Sequence, residues 1–229
     1  MADSLDINNK PKNIILICGI LLAFIIPVGL SMWMGKVNIA YYDKLLYSRF
    51  FYWGTALCLY FYALRVERQP LLIVKENKTT IGFFIGSVLV LYLLYIAAAI
   101  VSAFPILLGI RDDLSVIKMI ARILRGHYWL TIFVALTAGV TEEFIFRGYI
   151  LTRLLQLTKN PVVAIVVSSL LFSAMHYKYN SLHELIFAFL IGIIFSIYYL
   201  KYRNIKAIIV VHFFIDLISM TVAQYLKLK

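Results

Sequence analysis

Long apolar stretches dominate this sequence and strongly limit how the chain can fold. A helix that crosses the hydrocarbon core of a bilayer needs roughly 20 apolar residues. By this rule the sequence predicts about seven spanning helices (six to eight). The predicted spans are residues 14–34, 48–64, 81–108, 128–151, 162–177, 183–200 and 205–226. The expected fold class is therefore all-α, a polytopic membrane helix bundle.

The composition agrees with this expectation. Hydrophobic residues make up 63% of the chain and charged residues 14%, whereas a soluble domain averages about 45–50% and roughly 25%. The net charge of +11 does not indicate a nucleic-acid partner, because Lys and Arg, Arg153 among them, lie mostly in the predicted loops. There they act as anchors and topology signals. No linker divides the chain, so we expect a single membrane domain over residues 1–229.

Residues 112–126, DDLSVIKMIARILRG, differ from the apolar spans around them. Asp112 and Asp113 suit the start of a helix and Gly126 suits its end. Basic side chains recur on one side of this helix, at Lys118, Arg122 and Arg125. Apolar side chains lie opposite, at Leu114, Ile117, Ile120 and Leu124. The pattern predicts one interfacial amphipathic helix, and we expect it to bind anionic lipid headgroups rather than to capture substrate.

Ionisable residues also occur inside the later spans, where a charge is costly. In TEEFIFRGYI, residues 141–150, Glu143 and Arg147 are i,i+4 neighbours in the favoured orientation. Glu142 lies about 100° further round the helix and points elsewhere. Since a paired charge is less costly to bury than a single one, this pair alone is better explained by helix packing than by chemistry.

The next spans add histidines to these acids. His176 ends one span, and His212 and Asp216 share a helix face in the last. His183 and Glu184 open the span between them, where solvation explains both, and the sequence HELIF lacks the HExxH zinc-protease motif. A single explanation is needed for the presence of acids, an arginine and histidines on consecutive helices. We therefore expect one buried site.

Three motifs carry a resemblance to a known family. In chain order they are Glu142-Glu143-x-x-x-Arg147, Phe172-x-x-x-His176 and His212-x-x-x-Asp216. This order resembles the CPBP intramembrane proteases, which include the type II CAAX prenyl endopeptidases and bacterial relatives linked to bacteriocin or signalling-peptide maturation and self-immunity. The motifs define a core at about residues 128–220, and the first half matches only as apolar spans.

The resemblance implies an endopeptidase that uses a glutamate-activated water and no cofactor. Glu142 would be the general base, assisted by His176. Glu143 would pair with Arg147 and hold the helix geometry. The substrate would be a peptide or protein within or at the membrane. The short chain looks more like the bacterial members, which implies a multi-pass protein of the bacterial inner membrane.

One position departs from the family pattern. His212 and the residue four positions later would stabilise the oxyanion, and that residue is commonly Asn in the prenyl-protein branch, whereas here it is Asp216. An ionised aspartate repels an oxyanion. Asp216 is therefore protonated, orients His212, or binds a metal.

Other functions stay open. Histidine and carboxylate side chains can also bind Zn²⁺, which activates water, so a zinc-dependent protease is the first alternative. A transporter uses buried acids to relay ions, but it predicts inverted repeats and paired broken helices, and the acids here cluster in one half. A non-catalytic immunity protein is the third alternative, although every motif residue except the Asn is retained.

Overall fold

The computed structural model describes residues 11–110 and 112–225. The protein is 83% helical, with no strand among the described residues. The helices are α1 Asn13–Lys36, α2 Tyr41–Tyr62, α3 Ile81–Ser102, α4 Phe104–Leu107, α5 Ser115–Leu124, α6 Tyr128–Thr158, α7 Pro161–Ala174, α8 Leu182–Tyr202 and α9 Ile205–Tyr225. The predicted all-α membrane bundle is confirmed. Residue 226, the end of the last predicted span, lies outside the described residues.

Six of the described helices are long and apolar enough to cross a membrane, at the lower end of the predicted range. They are α1, α3 with α4, and α6 to α9. The second predicted span is a helix, α2, that begins earlier, at Tyr41. It is not among the six because Asp43, Lys44, Arg49 and several tyrosines reduce its apolar character.

The bundle is built around α6. In the most apolar 18-residue stretch of α6, 61% of the residues are buried inside the protein. The corresponding fraction for α3 with α4 is 17%. The outer helices expose large apolar side chains, among them Leu89, Leu93 and Ile100 of α3. So large an exposed apolar surface is not typical of a water-soluble protein. It suits contact with lipid.

Helix α5 is the predicted amphipathic helix, and it is fixed to the bundle at both ends. At its start the Asp113 carboxylate accepts a hydrogen bond from the backbone N–H of Ser115 at 2.9 Å, which lowers the Asp113 pKa. It also accepts one from Asn180 Nδ2 at 3.2 Å, which joins α5 to the segment after α7. At its end Leu124 is fully buried, and the Arg125 guanidinium donates to the carbonyl of Gln224 at 2.7 Å. Helix α5 therefore lies across the end of α9.

A second buried ion pair joins α6 to the segment after α2. Arg153 Nη2 lies 2.7 Å from Glu67 Oε2, and both side chains are fully buried. The Tyr149 hydroxyl donates to the other Glu67 oxygen at 2.5 Å. The assignment of Arg153 to the loop charges was wrong. Its charge is neutralised inside the protein by an acid 86 residues earlier.

Candidate active site

The backbone of α6 is widened where the acids lie. Two π-helical segments, Ala138–Glu142 and Phe144–Leu151, flank Glu143. Such wide turns are rare and occur often at functional sites. Consecutive residues of a helix point in different directions, and here Glu142 lines a cavity, whereas Glu143 is fully buried.

A close approach of α6 and α9 brings the second histidine to this point. A Cβ atom on Gly139 would lie 3.0 Å from the backbone nitrogen of Phe213 and 3.1 Å from the carbonyl oxygen of Ile209. Both atoms belong to backbone that cannot yield easily, so glycine is needed at this position. The contact places His212 against Glu143.

One carboxylate oxygen of Glu143 accepts two hydrogen bonds. Its Oε1 accepts hydrogen bonds from Arg147 Nη1 at 2.8 Å and from His212 Nδ1 at 2.7 Å. The ion pair expected from the i,i+4 spacing is present, and the bond to His212 is additional. The second oxygen, Oε2, is buried and has no hydrogen-bond partner among the described residues. Glu143 is therefore engaged in positioning its neighbours.

Arg147 is enclosed by aromatic side chains. It is 1% exposed, and its guanidinium lies 4.4 Å from the ring centre of Phe172 and 5.3 Å from that of Phe195. Its Nη2 lies 3.4 Å from the carbonyl oxygen of Ile191 in α8. A cation on an aromatic face gains electrostatic stabilisation, more so when it is desolvated. Arg147 thus ties α6 to α7 and α8, away from the cavity.

The cavity beside Glu142 has a volume of about 320 Å³. Of the residues predicted for the site, four line it: Glu142, His176, His212 and Asp216. The other two, Glu143 and Arg147, lie behind this wall. The structure thus brings the three motifs together around one space.

His176 presents one nitrogen to this space. Its Nδ1 lies 3.0 Å from the carbonyl oxygen of Phe172, which can only accept. This assigns the proton to Nδ1 and leaves the Nε2 lone pair free. The ring also stacks on Tyr179, with 5.8 Å between ring centres. The phenylalanine of the second motif thus orients the histidine through its backbone.

His212 lies between two acids at unequal distances. Its Nδ1 is hydrogen-bonded to Glu143, whereas its Nε2 is 3.8 Å from Asp216 Oδ2, which exceeds hydrogen-bond length. Orientation of His212 was one of the roles considered for Asp216. Glu143 is the acid that orients His212, because it is the one within hydrogen-bond distance. Asp216 is 22% exposed, on the cavity side.

Sequence reasoning missed several residues of the cavity wall. Arg49 of α2 and Tyr179 line it, and so do His183 and Glu184, which had been assigned to solvent. The spacing of Ser181 and Glu184 was a usable signal, since S-x-x-E is a helix capping box. Only half of the box forms: Ser181 Oγ accepts from the backbone N–H of Glu184 at 3.0 Å, while the Glu184 side chain lines the cavity.

The apolar face of α5 forms a further part of the cavity wall. Ile117, Ile120 and Leu124 of the predicted interfacial helix line the cavity and so cover a protein surface. Helix α5 is bound to the bundle because it covers one side of the cavity. The binding of its basic face to headgroups stays a prediction.

The donor groups do not fit a zinc site in this arrangement. Among residues 11–110 and 112–225, no group of three or more His, Cys, Asp or Glu side chains is placed to hold a metal ion. A zinc site in a protein needs at least three converging ligands.

The fold and the site define a class: a polytopic membrane protein with acids and histidines grouped around one cavity. A comparison with protein-family models adds a likeness to a known family: the model described as "Type II CAAX prenyl endopeptidase Rce1-like" matches residues 124–218, which is less than half of the chain. This stretch contains all three motifs. It confirms the resemblance to the CPBP and CAAX proteases over this part of the chain, and the six apolar helices show an integral multi-pass membrane protein. Searches of curated proteins and of solved structures gave no match.

Proposed function

We propose that this protein is a glutamic intramembrane endopeptidase, which hydrolyses a peptide bond of a membrane-associated protein or peptide. One observation carries the proposal: Glu142 and His176 line the same cavity, while the adjacent acid, Glu143, is held by Arg147 and His212. Of the two neighbouring glutamates, only Glu142 has a side chain at the cavity. Two acids with different environments can take different roles.

In the proposed reaction a water molecule lies between Glu142 and His176. The Nε2 lone pair of His176 accepts a hydrogen bond from this water, and Glu142 takes its proton as the water oxygen bonds to the carbonyl carbon. The proton then passes to the leaving nitrogen as the C–N bond breaks. A positioned general base of this kind contributes about 10²–10⁴-fold to the rate.

Glu143 and Arg147 hold the geometry for this step. Because Glu143 also binds Nδ1 of His212, the imidazole presents Nε2 to the cavity. That nitrogen is a hydrogen-bond donor when the ring is protonated. His212 is then able to stabilise the oxyanion.

We propose that the substrate is a peptide segment that reaches the cavity from the membrane surface. The cavity is lined by apolar side chains, with Ile117 and Ile120 of α5 among them, as well as by acids and histidines, which suits a peptide that has apolar side chains and a polar backbone. We further propose that the basic face of α5 rests on anionic headgroups, that the protein resides in a bacterial inner membrane, and that it serves peptide maturation or self-immunity.

The test is a comparison of the membrane peptidome of cells that make the wild-type protein with that of cells that make Glu142→Ala. Asp43→Ala is the control, because Asp43 lies in the first turn of α2 and does not contribute to the cavity wall. We expect new peptide termini in the wild type and the control but none in Glu142→Ala. Identical peptidomes in all three would favour a transporter or a non-catalytic immunity protein.

A prediction about Asp216 separates the metal-free from the zinc-dependent enzyme. We propose the metal-free form and expect Asp216→Asn to retain cleavage, because Asn keeps the shape of the side chain and adds an N–H donor. A zinc ligand changed to a poorer amide oxygen would instead lower metal affinity and activity together. The measurement is cleavage by purified wild type and variant, with and without chelator, alongside elemental analysis. Stoichiometric zinc in the wild type, lost with activity in the variant, would establish the metalloprotease.

A further inference from the structure

Tyr179 is a cavity residue to which neither the motifs nor the proposed mechanism assigns a role. It ends a short 3₁₀ turn, Tyr177–Tyr179, directly after α7, and its side chain lines the cavity. Within the described part of the chain its hydroxyl has no hydrogen-bond partner. A phenol is a donor as well as an acceptor, and in enclosed surroundings it usually finds a partner. The Tyr179 hydroxyl is therefore available to form a hydrogen bond with a ligand.

The Tyr179 ring is held firmly in place. It stacks on the His176 imidazole at 23° between the ring planes, and its backbone N–H donates to the carbonyl of His176 at 3.0 Å. The next residue, Asn180, takes the left-handed conformation, with φ of 53°, and its side chain donates to Asp113 at 3.2 Å. A donor fixed in advance stabilises developing charge without reorganisation.

Charged side chains line the same cavity as Tyr179, namely Arg49, Glu142, Glu184 and Asp216. Tyr179 thus shares this space with the proposed base, Glu142. His212 offers one hydrogen-bond donor to this cavity when its ring is protonated, and the Tyr179 hydroxyl offers a second.

We propose that the Tyr179 hydroxyl donates a hydrogen bond to the oxyanion formed at the scissile carbonyl. The inference rests on the proposed function. As the water oxygen bonds to the carbonyl carbon, the water proton goes to Glu142 and the carbonyl π electrons move to the carbonyl oxygen. Tyr179 binds this oxygen and keeps its own proton. When the C–N bond breaks, the carbonyl re-forms, the bonding pair goes to the nitrogen, and the nitrogen takes the proton from Glu142.

The test compares purified wild type, Tyr179→Phe and Tyr177→Phe on a fluorogenic peptide built around a cleavage site found in the peptidome. Tyr179→Phe removes one oxygen and keeps the ring on His176. Tyr177→Phe removes the same atom from a side chain that is 50% exposed, two residues away. We expect Tyr179→Phe to lower kcat about 10²–10³-fold, as for the loss of one oxyanion donor, with KM and thermal unfolding unchanged. Tyr177→Phe should match the wild type.

A phosphinate analogue of the same peptide separates a catalytic from a positioning role. Its inhibition constant should rise in Tyr179→Phe by the factor by which kcat/KM falls, because the analogue resembles the transition state. Unchanged kcat, or lowered kcat with unchanged phosphinate affinity, would overturn this inference and leave the proposed function intact. An inactive wild type would overturn the proposed function itself.

Discussion

Replacement of Glu142 by glutamine should abolish peptide cleavage and leave the protein folded in the membrane. Glutamine keeps the size of the side chain but cannot take a proton from water, so we expect kcat to fall by about 10²–10⁴-fold, the contribution of a general base. Glu142 lines the cavity and takes no part in the ion pair of Glu143 and Arg147. Its replacement should therefore leave the helix contacts intact. The measurement is single-turnover cleavage in detergent, with thermal unfolding of the same samples.

Asp43→Asn is the matched control for this change, since it makes the same acid-to-amide exchange outside the cavity. It should cleave at the wild-type rate. Turnover by Glu142→Gln within about tenfold of the wild type, below the range for a general base, would remove Glu142 from the mechanism. If a variant is inactive only because it has unfolded, its thermal unfolding curve will reveal this.

Replacement of Arg147 by alanine should damage both stability and activity. The Arg147 guanidinium is buried and lies 2.8 Å from Glu143, so its removal leaves a buried carboxylate with His212 as its one remaining partner among the described residues. Breaking a buried ion pair from one side costs about 3–5 kcal/mol. The variant also loses the contacts with Phe172 and Phe195. Thermal unfolding in detergent should show a markedly lower midpoint, and cleavage should be lost.

Arg122→Ala is the control, because Arg122 is an exposed arginine of α5. Its unfolding midpoint should stay near that of the wild type. The double variant Glu143→Gln with Arg147→Met tests the assignment further. It removes both charges, so it should regain part of the lost stability, but not the activity, since His212 loses the carboxylate that orients it. An unchanged midpoint for Arg147→Ala would show that the pair contributes nothing to stability.

The spans could be predicted because apolar length is a local property of the sequence. The prediction of α2 was the least accurate, since tyrosines and Arg49 mix with its apolar residues. The ion pair of Glu143 and Arg147 was also predictable, because an i,i+4 spacing fixes it within one helix. These features require no knowledge of how the helices pack.

The remaining contacts of the site depend on packing. The bond between Glu143 and His212 joins residues 69 positions apart, and it forms because Gly139 lets α6 approach α9. His183 and Glu184 begin a span, which indicates solvent when the sequence is considered alone. They face a cavity because α5 folds across that end of the bundle. A pattern within one helix does not contain this information.

The ion pair between Arg153 and Glu67 has a consequence for biogenesis. Arg147 carries its neutralising acid on its own helix, but Arg153 has its partner in the segment after α2. An uncompensated arginine in a helix that enters the bilayer carries a free-energy cost, about 2.5–3.5 kcal/mol at the helix centre and less towards its end, where Arg153 lies. Since Glu67 is synthesised first, α6 can lower this cost by docking on α2 as it leaves the translocon. Each buried arginine of α6 thus has an acidic partner that is synthesised before it.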